Sequence, residues 1–197
     1  MSDVTLIMTP NNPKNTIITL SNGPIAYKVD TMRSGRKVVT RVCDITDREI
    51  ASLQWGITTD TVKFGDRDAV PMTEWMKKSS VPFKRYFSFT DDQERKYRWK
   101  GLSSSQCLEL YAEDDNFETP ICRFVDDRLT NGFGRPQNLE EARIVLTPRA
   151  LQIQDLAIVS LLFLEKAKRT DDKTKPMDPD FLVLLNTNPL PGGLVNA

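Results

Sequence analysis

Residues 156–164 read Leu-Ala-Ile-Val-Ser-Leu-Leu-Phe-Leu, which is apolar on every side of a helix. That helix, predicted over about 148–169, opens with Thr147 as N-cap and Pro148 in the first turn. It closes on Lys166-Ala167-Lys168-Arg169, whose positive charges suit a helix end. A helix with no polar face must be surrounded by protein or lie in lipid. A bilayer span takes roughly 20 apolar residues, more than this run supplies. The helix is therefore expected inside a protein shell, and what precedes it is a series of short β-rich runs. Strands wrapped around one late helix make the expected class mainly β.

The strand signals are short and evenly spaced, as in a barrel or sandwich. Thr16-Ile17-Ile18-Thr19-Leu20 and Ile25-Ala26-Tyr27-Lys28-Val29 flank Asn22-Gly23, a strong hairpin signal. Residues 37–42 and 50–55 are further strands, and 61–64 and 69–72 flank Gly65-Asp66-Arg67. Residues 73–78 read as helical turns capped by Thr73. Residues 85–89 and 96–100 alternate aromatic with polar side chains about a turn at 90–94. Residues 106–111 and 120–125 pair around the acidic turn Glu113-Asp114-Asp115-Asn116, and 143–146 is the last strand before the helix. The total is about eleven strands. Residues 1–14 form an N-terminal arm, 15–170 the domain and 171–197 a tail. The tail carries Phe181-Leu182-Val183-Leu184-Leu185, expected to dock on its own domain or to cross to a partner in a homodimer.

Composition removes more functions than it suggests. Lys plus Arg and Asp plus Glu are both 27, so the basic excess of a nucleic-acid binder is missing. There is no histidine, which excludes Ser-His-Asp and Cys-His catalysis and His-ligated zinc. Cys43, Cys107 and Cys122 are widely spaced and read as reduced packing thiols. Residues 1–10 lack the basic start and apolar core of a secretory signal, so a cytoplasmic location is expected. The doublets Asp91-Asp92, Asp114-Asp115, Asp126-Asp127 and Asp171-Asp172 lack the ligand spacing of a calcium loop and suit turns. Gly132-Phe133-Gly134-Arg135-Pro136 lacks the Lys-Ser/Thr of a phosphate loop; it reads as a loop offering Phe133 and Arg135 to a partner. No metal and no cofactor is expected.

Arg85-Tyr86-Phe87-Ser88-Phe89, Lys96-Tyr97-Arg98-Trp99-Lys100, Leu108-Glu109-Leu110, Ile144-Val145-Leu146 and Asp155-Leu156-Ala157-Ile158-Val159 follow one another in an order that resembles an uncharacterised domain family of mushroom-forming fungi. That family is similar to the tubby C-terminal, LURP-one-related and phospholipid scramblase superfamily. The resemblance spans roughly residues 15–170 and implies a closed, about twelve-stranded β-barrel threaded by the hydrophobic helix. A barrel of that size has room for a helix about 10 Å across. The resemblance also implies non-enzymatic binding of a phospholipid head group at a membrane surface, or of a protein partner.

The tubby proteins hold phosphoinositides through a Lys-x-Arg loop beside the strand that corresponds to residues 96–100. Here that loop, Lys100-Gly101-Leu102-Ser103-Ser104-Ser105, keeps one base. Lys96 and Arg98 have the spacing within the strand, where alternate residues share a face and can clamp a phosphate. Lys84, Arg85, Arg95 and Lys100 would assist. The bland alternative is a solvated strand face. Two rival functions remain. One is a protein-interaction module using Phe133, Arg135, Phe181, Leu182 and Leu184. The other is a small cofactor-free isomerase or hydrolase working with carboxylate, Tyr or Lys in a pocket at the barrel rim.

Overall fold

A computed structural model describes residues 2–56, 58–80, 85–103, 106–126 and 141–174. Its strands are β1 Val4–Thr9, β2 Thr16–Leu20, β3 Ile25–Ser34, β4 Lys37–Cys43, β5 Glu49–Trp55, β6 Thr61–Phe64 and β7 Val70–Pro71. They continue as β8 Lys77–Lys78, β9 Phe87–Thr90, β10 Lys96–Lys100, β11 Glu109–Ala112, β12 Pro120–Asp126 and β13 Ala142–Leu146. The helices are α1 Met72–Trp75, α2 Pro148–Leu151 and the long α3 Gln154–Thr174.

All thirteen strands belong to one antiparallel sheet in the order β7-β6-β5-β4-β3-β2-β1-β13-β12-β11-β10-β9-β8. The residues expected to form an arm instead place β1 in the middle of the sheet, paired with β2 and, at Val4↔Leu146, with β13. The Asn22-Gly23 hairpin forms, with Gly23 at φ 110, a value glycine adopts freely. Two local expectations give way. The segment 73–78 is a single helical turn whose N-cap is Pro71, not Thr73, and Lys77–Lys78 pairs with β9 as a strand. The helix expected over 148–169 is divided at Gln152 and Ile153, and Thr147 does cap its first piece.

Among the described residues closure by strand pairing, expected from the resemblance, is not seen: β7 pairs only with β6 and β8 only with β9. Both edges are blunt, one ending in Pro71 and the other made of Lys77 and Lys78, which discourages pairing with other chains. In sequence only α1 and Met76 separate them. Rings from both flanks meet at this seam, Phe64 on Trp75 at 4.9 Å, Trp75 on Phe89 at 5.6 Å and Phe89 on Tyr97 at 5.2 Å.

The long helix is the core of the molecule. Ala157, Ile158, Val159, Leu161, Leu162 and Leu164 are at most 2% exposed, and within residues 156–164 partial exposure is confined to the one face that carries Leu156 and Phe163. Both halves of the sheet touch it. Trp99 of β10 donates its indole N–H to Ser160 at 2.8 Å, and Trp55 of β5 stacks on Phe163 at 6.2 Å. Each buried aliphatic side chain contributes about 1.5–3 kcal/mol of transfer free energy, which makes this helix the main hydrophobic element.

Antiparallel pairing sends successive turns to opposite ends of the sheet, and the ends differ in charge. At the end where the long helix starts lie turns 44–48, 65–69, 91–95 and 113–119, which carry Asp44, Asp47, Asp66, Asp68, Asp91, Asp92, Glu94, Glu113, Asp114, Asp115 and Glu118. Only Arg48, Arg67 and Arg95 oppose them within those turns. At the other end the β3–β4 hairpin supplies Arg33, Arg36 and Lys37, and the last turns of the helix Lys166, Lys168 and Arg169. The helix cations are answered locally, Lys166 by Asp60 at 3.7 Å and Arg169 by Glu165 at 3.0 Å, so the exposed positive charge of this end is that of the hairpin. The helix dipole is complementary, with its positive terminus at the acidic end.

Candidate functional site

The acidic end holds a groove of about 910 Å³. Phe64, Leu151 and Leu156 supply apolar lining, and Asp66, Arg67, Asp92 and Gln93 are among its polar residues. Two hairpin turns around this end are built alike. In Asp44-Ile45-Thr46-Asp47-Arg48 and Asp91-Asp92-Gln93-Glu94-Arg95, the first carboxylate accepts from the backbone N–H two and four residues on. It also accepts from the closing arginine, at 3.0 Å for Arg48 and 2.7 Å for Arg95. The fourth residue, Asp47 or Glu94, sits at φ 61 in each. The Thr46 hydroxyl, together with the backbone and arginine donors, holds Asp44 down at about 2. Burial alone would raise Asp91, but bonds from Arg95, Gln93 and Tyr97 outweigh it and keep its carboxyl below the ordinary range.

Bonds between elements fix the groove walls. Arg67 meets Asp92 through two bonds of 2.7 and 2.6 Å, joining the turn after β6 to the turn after β9 across the seam. Tyr27 donates to Asp155 at 2.5 Å and accepts from Gln154 at 2.8 Å, tying β3 to the start of the long helix. Burial, followed by the Asp155 carboxylate, pushes the Tyr27 phenol well above its ordinary value. Burial and then Glu109 push Tyr111 up to about 12. Both phenols hold their protons more tightly than a free tyrosine, the wrong direction for a proton donor at neutral pH. Among the described residues no cluster of His, Cys, Asp or Glu is arranged to hold a metal.

The structure places the sequence-predicted cations in different surroundings. Lys96, Arg98 and Lys100 share the outer face of β10, opposite the buried Tyr97 and Trp99. Each has a neighbour: Lys96 meets Glu113 at 3.2 Å, and Lys100 donates to the Phe117 carbonyl at 3.0 Å. The Arg98 guanidinium lies 3.6 Å from the Phe117 ring centre and 4.8 Å from that of Tyr86. Asn116 and Phe117, at φ 57 and 61, are left-handed, and that conformation lays the ring over Arg98. Arg95 is apart from this set, in the groove with Asp91 and Gln152. Arg85 is exposed just before β9. Lys84, Phe133, Arg135, Phe181, Leu182 and Leu184 lie outside the described residues.

Sequence reasoning passed over the β3–β4 hairpin. Its pairing runs to Ser34↔Lys37, whereas β2 stops opposite Val29 and β5 opposite Val38, so residues 33–37 project past both neighbours. Arg33, Arg36 and Lys37 are exposed, and Met32 beside them is 51% exposed. Gly35 at φ 60 makes the tight turn. The signal available was Ser34-Gly35 amid cations, a turn dipeptide inside a continuous β-rich run.

Comparison with known proteins adds a family and no activity. No curated protein matches the chain. An X-ray structure of a protein from Arabidopsis thaliana is similar at 14% identity, covering 80% of this chain and 90% of that one with a TM-score of 0.43. The model of a family of unknown function, DUF6593, matches residues 11–170, nearly all of the sheet and the long helix, and the chain belongs to that family.

Proposed function

We propose that this chain is a non-enzymatic binding domain whose basic end contacts the anionic head groups of a phospholipid surface. The observation that supports it is the projecting β3–β4 hairpin, whose Arg33, Arg36 and Lys37 are all exposed. Lys166 and Lys168 lie at the same end but are held by Asp60, Glu165 and the Gln106 carbonyl, which leaves the hairpin to make the contact. The half-exposed Met32 adds an apolar contact beside the charges. On this reading the sheet acts as a barrel, its seam held by side chains, that carries the hairpin rigidly. Association is peripheral: among the described residues no helix is long and apolar enough to cross a membrane.

A cation near an anionic leaflet contributes about 1 kcal/mol, and the interaction decays within a Debye length. Reversing Arg33, Arg36 and Lys37 to Glu should therefore weaken binding to phosphoinositide-containing vesicles roughly a hundredfold. Because those residues are exposed, the melting temperature should hold. Vesicle co-sedimentation at low and high salt, with neutral vesicles as control, measures this. Equal retention on neutral and anionic vesicles would defeat the lipid reading.

A further inference from the structure

The two ends of the molecule offer a basic projection and an acidic groove. One presents a projecting hairpin with Met32 among Arg33, Arg36 and Lys37. The other presents a groove of about 910 Å³ with Phe64, Leu151 and Leu156 in its lining and Asp66, Asp92 and Asp155 among its carboxylates. We propose that the hairpin of one copy seats in the groove of a second copy, so that chains associate head to tail.

Three observations carry this. The hairpin cations have no acidic partner among the described residues of their own chain; the Arg33 contact is with the Gly35 carbonyl at 3.3 Å. The groove joins apolar lining to four aspartates, Asp66, Asp91, Asp92 and Asp155, against two arginines, Arg67 and Arg95; that net acidic, partly apolar lining matches a methionine flanked by cations rather than a purely ionic ligand. Hairpin and groove stand at opposite ends of the sheet, so neither can fill the other within one chain. Such an interface is heterologous: each added copy leaves one hairpin and one groove free, and growth continues until a ring closes or the concentration limits it. Zero net charge removes the overall repulsion that would oppose stacking. The proposal does not rest on the lipid reading; a membrane and a second copy would compete for the same hairpin.

Sedimentation velocity on the full chain tests it with two variants. Arg33→Glu/Arg36→Glu/Lys37→Glu reverses the hairpin. Asp66→Lys/Gln93→Lys makes the groove basic at exposed positions whose side chains have no bond to lose. At low salt the wild-type mass should rise with concentration to at least twice 22.4 kDa and return to the monomer at high salt. Each variant alone should stay monomeric, and an equimolar mixture should regain the doubled mass, because one intact hairpin and one intact groove remain. Recovery in the mixture shows that both variants are folded. The groove variant should keep its vesicle binding, which separates this test from the previous one. A wild type that stays monomeric at low salt, a variant that associates like the wild type, or a mixture that does not associate overturns the proposal.

Discussion

Ser160 is the one polar side chain in the apolar stretch of the long helix, and it is fully buried against Trp99. Its hydroxyl accepts from the indole N–H at 2.8 Å and donates back to the Leu156 carbonyl at 2.6 Å. Ser160→Ala removes the acceptor and leaves the indole N–H buried without a partner, a loss of about 1–3 kcal/mol. Trp99→Phe removes the donor, so the double variant should cost less than the two single costs added together. Urea midpoints of the four proteins give that coupling, and strict additivity would show that the bond contributes nothing. Ile158 is 0% exposed on the same helix. Ile158→Asp buries an unpaired charge and should lower stability by several kcal/mol, read as collapse of the melting transition. An unchanged melting temperature would mean that the helix is not the core.

Paired turns with the same chemistry show what an element adds to its residues. Asp91 has a folded-state pKa below the roughly 3.9 of a free aspartate, so its contribution is complete above that pH and fades as pH falls through the folded value. Asp91→Asn should lower stability at pH 6, with the deficit unchanged down to about pH 4 and shrinking only below it. Denaturant midpoints across that range test it, and a deficit independent of pH would show that the carboxylate charge is not what holds the turn. The acidic turns at 90–94 and 113–116 were legible as turns, and so were the alternating strands, with Tyr97 and Trp99 inward and Lys96, Arg98 and Lys100 outward. The partners were not legible. Glu113 and Phe117 reach β10 only through a turn whose left-handed residues, Asn116 and Phe117, no propensity announces. β1 was missed because its place depends on Val4↔Leu146, a pairing between distant parts of the chain. β8 was missed because two lysines become a strand only by lying against Ser88 and Phe87. The gathering of acidic turns at one end was hidden for a related reason. The sign of each turn is written in the sequence, but its end of the molecule follows from the register of every strand before it.

Across the whole molecule, backbone pairing links every strand from β7 round to β8 and then stops. The seam depends instead on side chains: the run of rings from Phe64 through Trp75 and Phe89 to Tyr97, and the Arg67–Asp92 pair. That pair is exposed on both sides, and such pairs contribute at most about 1 kcal/mol, so the rings must dominate. Trp75 stands between the two flanks and is partly buried. Trp75→Ala should cost about 2 kcal/mol, below the loss for a fully buried tryptophan. Its effect should also be local, because a line without ladder hydrogen bonds can part before the rest of the sheet unfolds. Hydrogen exchange of the variant should therefore quicken in β6, β7, β8 and β9 while β1, β2 and β13 keep their protection. The Arg67→Ala exchange pattern should resemble it more weakly and lose its difference from wild type at high salt. Uniform acceleration through all strands would mean that the seam is no weaker than the ladder, and that the side chains bridging it have made the sheet one cooperative unit.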